Sequence, residues 1–349
     1  MSGFATLLHG NALRKLSQIA YASGADWLSH SRPADLQPTP FAVAYQDNGT
    51  RLLRFVRADQ ESRGPAVLLV PSMINRWYVL DLRPGASLVA ALVAAGLDVY
   101  CVDWGAFGDE DRHLTWDDVL TRLGRMMRAT RRIAGQDRVG VLGYCMGATL
   151  ASVYAALHPE HVNAFVNLAG PIDFAHGGAL AVQTDPRWFD PDAVAAAGNI
   201  SPQQMQSGFV ALRPTQQWSK WVGVADRFAD DLAVEAFAAL ETWANDNVAF
   251  PAAAYATYIG DLYQRNLLVQ GRHCAMGRRV DLGAMVCPTM VVTASRDAIC
   301  PPPAALALLD CCGAKEKSAV QVSGGHVGAV VGGRAARDLY PRIVDWFAG

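Results

Sequence analysis

The run Gly143-Tyr144-Cys145-Met146-Gly147 places a thiol between two glycines, each two positions away. That spacing is the pattern of a nucleophile held on a sharp turn between a strand and a helix, with cysteine where serine is commoner. Such a turn is strained and lifts its side chain above the edge of a sheet, so the residues two before and two after must be small. The helix that follows points its positive N-terminal end at the sulfur and favours thiolate. Five residues in this pattern equally describe a core cysteine flanked by glycines. The apolar run 139–142 before them and the helical run 148–157 after them supply the strand and helix that a nucleophile needs.

An activated thiol needs a base, and the base needs an orienting carboxylate. Both occur downstream, in the chain order nucleophile, acid, histidine. A buried strand over 288–293 leads into Asp297, ahead of Pro301-Pro302, which fixes the loop. A second strand over 319–322 leads into Gly324-Gly325-His326-Val327-Gly328, where glycine freedom lets an imidazole reach across the sheet edge. Taken singly, Asp297 is also a plausible turn carboxylate and His326 a helix cap. Three such residues, each at a strand end and in this order, read as a Cys-His-Asp triad. Its oxyanion hole would use the backbone N–H of Met146 and one from the loop after a strand at 66–70, Met73 or Ile74, between which the sequence does not choose.

The remaining candidates have plainer readings. His158 and His161 sit at a helix end and the turn after it, as surface groups, while His9, His30, His113, His176 and His273 lack a strand-end position. The sequence Asp103-Trp104-Gly105 reads as a structural turn. Seven cysteines, none in a Cys-x-x-Cys pair, suit a reducing cytoplasm, most of them as small buried hydrophobes, and no metal site is expected.

These residues are positioned by alternating elements. A hairpin over 41–45 and 51–57 turns at Asn48-Gly49. Strands at 66–70, 97–102, 139–142 and 162–168 alternate with helices at 87–95, 116–133 and 148–157, which means a parallel sheet with helices on both faces. The alternation stops near Pro171, and the chain is helix-like to about residue 282 before strands and a closing helix at 334–347 resume. The expected organisation is therefore an N-terminal helical segment (1–36), a core (37–172), a helical cap (173–284) and the rest of the core (285–349). Phe209, Trp218, Trp221, Phe228 and Trp243 of the cap are candidates for an acyl tunnel or for cap core. With 349 residues, 51% hydrophobic and 18% charged, the chain can fill one large core. A net charge of −2 from 30 basic and 32 acidic side chains, with no basic cluster, argues against nucleic acid. The longest apolar run is too short for a membrane span, and Arg14-Lys15 interrupts any signal peptide.

Over roughly residues 38–348 the chain resembles the catalytic subunit of polyhydroxyalkanoate synthases, nearest the short two-subunit class III type. The stretches that carry the likeness are Asn75-Arg76-Trp77-Tyr78 with Leu80-Asp81-Leu82, Gly96-Leu97-Asp98-Val99-Tyr100, Asp103-Trp104-Gly105, Leu114-Thr115-Trp116-Asp117-Asp118, Tyr154 to Glu160, Pro171-Ile172-Asp173-Phe174, Gly198-Asn199-Ile200 and Gly325-His326-Val327-Gly328. The resemblance implies an α/β-hydrolase fold with a mostly parallel sheet and a helical cap between core strands. It implies an acyltransferase that polymerises (R)-3-hydroxyacyl-coenzyme A. Cys145 would carry the acyl chain as a thioester, His326 would act as base and Asp297 would tune it. Coenzyme A would be the leaving group, and no cofactor is implied. It also implies a helical second subunit, a homodimer through the cap, and a cytoplasmic or polymer-granule location.

Two departures from the family box stand out. Ala148 occupies the place of a second glycine, and Met146 that of the glutamine usual in class III. The box is also similar to that of dienelactone-hydrolase-like enzymes, which are shorter and lack such a cap. A thioesterase, esterase or non-polymerising acyltransferase on the same scaffold is accordingly the competing expectation.

Overall fold

The computed structural model of the chain describes Lys15 and residues 36–55, 64–212 and 230–349. The helix expected over 1–36, apart from Lys15 and Leu36, lies outside the described residues, as do Arg57, Trp218, Trp221 and Phe228.

Eight strands form one sheet: β1 (Phe41–Asp47), β2 (Thr50–Phe55), β3 (Ala66–Val70), β4 (Asp98–Asp103), β5 (Val139–Tyr144), β6 (Val162–Leu168), β7 (Thr289–Ala294) and β8 (Lys317–Val322). Their spatial order is β1-β2-β4-β3-β5-β6-β7-β8. β1 and β2 pair antiparallel, β2 runs antiparallel to β4, and all pairings from β4 to β8 are parallel. Every residue of β3, β4, β5 and β7 is buried, which is why these strands read as unbroken apolar runs rather than alternating ones. The chain crosses from β4 back past β3 to β5, so the order reverses between β3 and β5, where open parallel sheets place their ligand crevices.

Helices cover both faces. α1 (Leu88–Ala94) starts at Ser87, whose Oγ accepts the Ala90 N–H at 2.8 Å. α2 (Trp116–Ala134) opens with a reciprocal Thr115/Asp118 capping box and stops at Gly135, which is left-handed at φ 67°. α3 (Met146–Leu157) begins at Met146, two residues before the expected start. Residues 174–284 hold α4 (Gly178–Gln183), α5 (Pro191–Ala196), α6 (Pro202–Leu212), α7 (Asp231–Asn245) and α8 (Ala252–Thr257), inserted between β6 and β7. α9 (Pro302–Cys311), α10 (Gly328–Val331) and α11 (Tyr340–Ala348) complete the core. One apolar layer joins α2, α3 and α9 to the sheet and a second joins α1 and α11 to the other face.

The closing helix departs from the expected 334–347. A wide π turn over Ala335–Leu339 precedes α11, because Pro341 has no N–H to bond the preceding turn. Among the described residues no helix is long and apolar enough to cross a membrane.

Candidate functional site

Cys145 lies at the turn between β5 and α3 with φ 56° and ψ −132°, a left-handed conformation that a side chain occupies only under strain. The turn is held at both ends: the Cys145 N–H donates to Leu168 O at 3.0 Å and the Ala148 N–H to Cys145 O at 2.9 Å. Gly147 has no room for a side chain, since a Cβ would lie 2.1 Å from Val70 O. A Cβ on Gly143 or Gly170 would meet Ala148 at 2.3 and 2.2 Å respectively, so the Ala148 methyl fits because both its neighbours are glycine. Ala148 thus sits in a space already cleared for it.

Asp297 and His326 arrive from the loops after β7 and β8. Asp297 Oδ2 meets His326 Nδ1 at 2.7 Å, and Asp297 Oδ1 accepts the N–H groups of Ile299 at 2.8 Å and Cys300 at 2.9 Å. Both residues are buried, and the two loops are tied together by the Arg296 N–H donating to Gly324 O at 2.8 Å. His326 Nε2 is buried without a hydrogen bond of ordinary geometry, and its electrostatic neighbour is Cys145. Burial alone would drive the imidazole's proton off. Negative charge on Cys145 and the bond to Asp297 outweigh it, and the His326 pKa is pushed up to about 10. The geometry is that of a cysteine sulfur facing an imidazole whose far nitrogen is locked by a carboxylate.

Beside Cys145 lies an apolar cavity of about 300 Å³, lined by Ile74, Met146, Phe209, Phe250, Tyr258 and Ile299 among others. Of the expected tunnel aromatics, Phe209 lines it and Trp243 does not. Trp243 is buried against the opposite core layer, where its Nε1–H donates to Arg76 O at 2.8 Å. Tyr144, Tyr258 and Tyr263 are three buried phenols that sequence reasoning passed over. The Tyr144 ring stacks on His326 with centroids 5.4 Å apart, and burial, then the charges of Cys145 and Asp297, push its hydroxyl pKa up. Its place beside the cysteine was the available signal.

The loop after β3, which holds Met73 and Ile74, is fixed from two sides. Trp104 Nε1–H donates to Pro71 O at 2.9 Å, while Asp103 accepts from Arg51 Nε at 2.9 Å and from the Gly105 N–H at 3.0 Å. Asp103-Trp104-Gly105 is accordingly structural, as read, and also supports the site's rim. On the other side the cap is tied to the same loop. Val248 N–H donates to Ile74 O at 3.3 Å, Asn75 Nδ2 to Asn247 Oδ1 at 2.5 Å, Arg76 Nε to Asp246 Oδ1 at 3.0 Å and Tyr78 Oη to Asp246 Oδ2 at 2.8 Å. Two further ties join cap and core: Asn199 Nδ2 to Gly108 O at 2.6 Å and Asn266 Nδ2 to Asp173 Oδ1 at 2.8 Å. The family-like stretches Asn75 to Tyr78, Pro171 to Phe174 and Gly198 to Ile200 therefore fasten the cap.

The fold and this site define the class. Residues 65–328 match the α/β-hydrolase fold family, and residues 25–92 match the N-terminus of poly-beta-hydroxybutyrate polymerase. An α/β-hydrolase fold protein from Nakamurella multipartita superposes with a TM-score of 0.52 at 19% identity, covering 89% of this chain and 99% of that one. The poly(3-hydroxyalkanoate) polymerase subunit PhaC of Allochromatium vinosum is 30% identical over 338 residues, 95% of this chain and 94% of that protein. That of Haloferax mediterranei is 34% identical over 314 residues, covering 89% of this chain and 64% of the longer relative. The chain belongs to the PhaC family of poly(3-hydroxyalkanoate) polymerases, which are acyltransferases.

Proposed function

We propose that this chain polymerises (R)-3-hydroxyacyl groups from coenzyme A thioesters, with Cys145 as nucleophile, His326 as acid and base, and Asp297 as the residue that orients His326. The observation that carries the reading is the buried Asp297–His326 contact of 2.7 Å, set against Cys145 at an apolar cavity. The Cys145 thiolate attacks the acyl carbonyl, the bond to the coenzyme A sulfur breaks, and the departing thiolate takes its proton from His326. Backbone N–H groups of Met146 and of Met73 or Ile74 would hold the oxyanion. The Ile74 N–H already leans on Ser72 Oγ at 3.5 Å, which favours Met73 as the second donor.

Acylation turns the Cys145 sulfur into a neutral thioester. The charge that kept His326 protonated is then gone, burial dominates, and the imidazole becomes neutral, which is the state a base requires. It takes the proton of an incoming 3-hydroxyl, whose oxygen attacks a thioester, forming the ester link and returning a thiol to its free state. A closed cap keeps water from competing with that hydroxyl. The Allochromatium relative is named as a subunit of the polymerase, which supports a second subunit for this chain also. Its helical character, class III grouping and dimerisation through the cap belong to the same proposal.

The test is incubation with (R)-3-hydroxybutyryl-coenzyme A, with thiol release and acyl products followed together. Thiol release with polyester, or with oligomer bound to Cys145, is expected. Release that yields only free 3-hydroxybutyrate would replace the proposal with a cysteine hydrolase.

A further inference from the structure

At the far end of α3 from Cys145, the chain turns through His158-Pro159-Glu160-His161 into β6. Pro159 opens a single 3₁₀ turn and fixes its own φ, so the three polar side chains issue from a short, stiff segment. They converge. His158 Nδ1 and His161 Nε2 each lie 3.4 Å from Glu160 Oε1, and the three ligand atoms all fall within 4.8 Å of one another. Among the described residues this is the one grouping of histidine, cysteine and acidic side chains that could hold an ion.

The spacing has a chemical meaning. Nitrogen and oxygen ligands at zinc bond lengths of about 2.0–2.1 Å and tetrahedral angles lie about 3.3 Å from each other. Two of the three distances here are within about a tenth of an ångström of that value. The second imidazole is also oriented from behind: Tyr154 Oη lies 2.8 Å from His161 Nδ1. A donor N–H at Nδ1 leaves the Nε2 lone pair for the ion, which is the outer arrangement that ligating histidines usually carry. The His158 and His161 ring centroids lie 5.1 Å apart with planes 9° from parallel, and the Tyr154 ring packs on His158 at 4.8 Å. The site also sits at the C-terminal end of α3, where the helix dipole favours a cation. Arg128 and Arg131 of α2 act on the same histidine electrostatically and weaken binding.

We propose that His158, Glu160 and His161 form a binding site for a divalent transition-metal ion of the zinc type, with water completing the tetrahedron. Two imidazoles and one carboxylate select zinc, nickel or cobalt over calcium or magnesium, which take oxygen ligands. An ion here links the end of the helix that follows the nucleophile to the turn immediately before the next strand, about 18 Å from Cys145 along a helix of twelve residues.

The experiment is calorimetric titration of the metal-free full chain with Zn²⁺, in a Cys145→Ser background so that Cys145 and His326 do not compete. One bound ion per chain is expected, and His158→Ala with His161→Ala abolishes it. Tyr154→Phe, which keeps the ring packing and removes only the hydroxyl, weakens it about tenfold. Substituting Co²⁺ gives the visible bands of a tetrahedral nitrogen and oxygen site without a thiolate charge-transfer band. Equal binding in the double variant, undiminished binding in Tyr154→Phe, or a cobalt–thiolate band each overturns the proposal.

Discussion

On His326 two opposing forces act on a single proton. Burial is the largest single influence and works to remove it, while the charge of Cys145 and the charge and hydrogen bond of Asp297 together outweigh it, with the balance at about 10. A histidine whose pKa is raised on folding contributes stability that is complete below its ordinary value near 6.5 and lost as the pH rises through about 10. The ring is therefore expected to remain protonated at pH 8 in the resting protein, followed by its imidazole NMR shift. In Cys145→Ala the largest retaining charge is gone and burial prevails, so the same resonance should titrate well below 10, and an unchanged titration would remove Cys145 as its partner. Asp297→Asn probes the other nitrogen. Its Oδ1 can still accept from Ile299 and Cys300, which turns the amide NH₂ toward His326 Nδ1. That forces the tautomer with its proton on Nε2, the wrong one for a base, so thiol release should fall about 10²–10⁴-fold with the fold intact by circular dichroism.

The β5–α3 turn shows how an element imposes its sequence. Gly147 passes under Val70 and Pro71, the last residue of β3 and the first of the loop that carries Met73. Gly147→Ala drives a methyl into those carbonyls and must either push the loop outward or unwind the first turn of α3. A loss on the order of 3 kcal/mol is expected in urea unfolding, together with loss of thiol release. Ala148→Gly should cost only about 1 kcal/mol, the helix propensity difference, because the space around it is set by Gly143 and Gly170. Much of this element was legible from the chain, because steric demands at a strand-to-helix turn write themselves as glycines at fixed offsets, and buried parallel strands as apolar runs. The positions of β7 and β8 were equally readable, since each ends in the loop bearing Asp297 or His326, although β8 proves to be a half-exposed edge strand that starts at Lys317 rather than a buried run. The phenols were not legible: Tyr258 and Tyr263 reach the cavity from the end of α8 and the π turn after it, through packing between cap and core that no local pattern encodes. The same holds for Trp243, whose helical spacing was compatible with a tunnel while its indole N–H found Arg76 O instead. The broken closing helix was missed because the apolar periodicity runs across Pro341 while the backbone hydrogen bonds do not.

For the whole molecule the question is what a cap does that a bare sheet edge does not. Cap and core meet at polar ties concentrated around the loop after β3. Asp246, at the end of α7, takes a bond from Arg76 and another from Tyr78 at once. The Arg76 and Asp246 side chains are 30% and 39% exposed, so as an ion pair they add little to global stability, about 1 kcal/mol or less. Their position gives them a different weight. They hold α7 against the segment that carries Met73 and Ile74 at the mouth of the cavity, so on the proposed mechanism loosening them opens a route for water to an acyl group on Cys145 without disturbing His326 or Asp297. Asp246→Ala is thus expected to change the urea midpoint only slightly and to leave the initial rate of thiol release within about threefold, since the charges around Cys145 and His326 are untouched and the lost pair is a surface one. The products should shift: a larger share of acyl groups appears as free 3-hydroxy acid, and the polymer chains are shorter. The measurement is the ratio of free acid to polyester at equal thiol release, in parent and variant. An unchanged ratio would mean that water is excluded by the apolar lining of the cavity rather than by the closed cap. A fall in thiol release as large as that expected for Asp297→Asn would mean that the ties position the oxyanion loop for chemistry rather than shield its product.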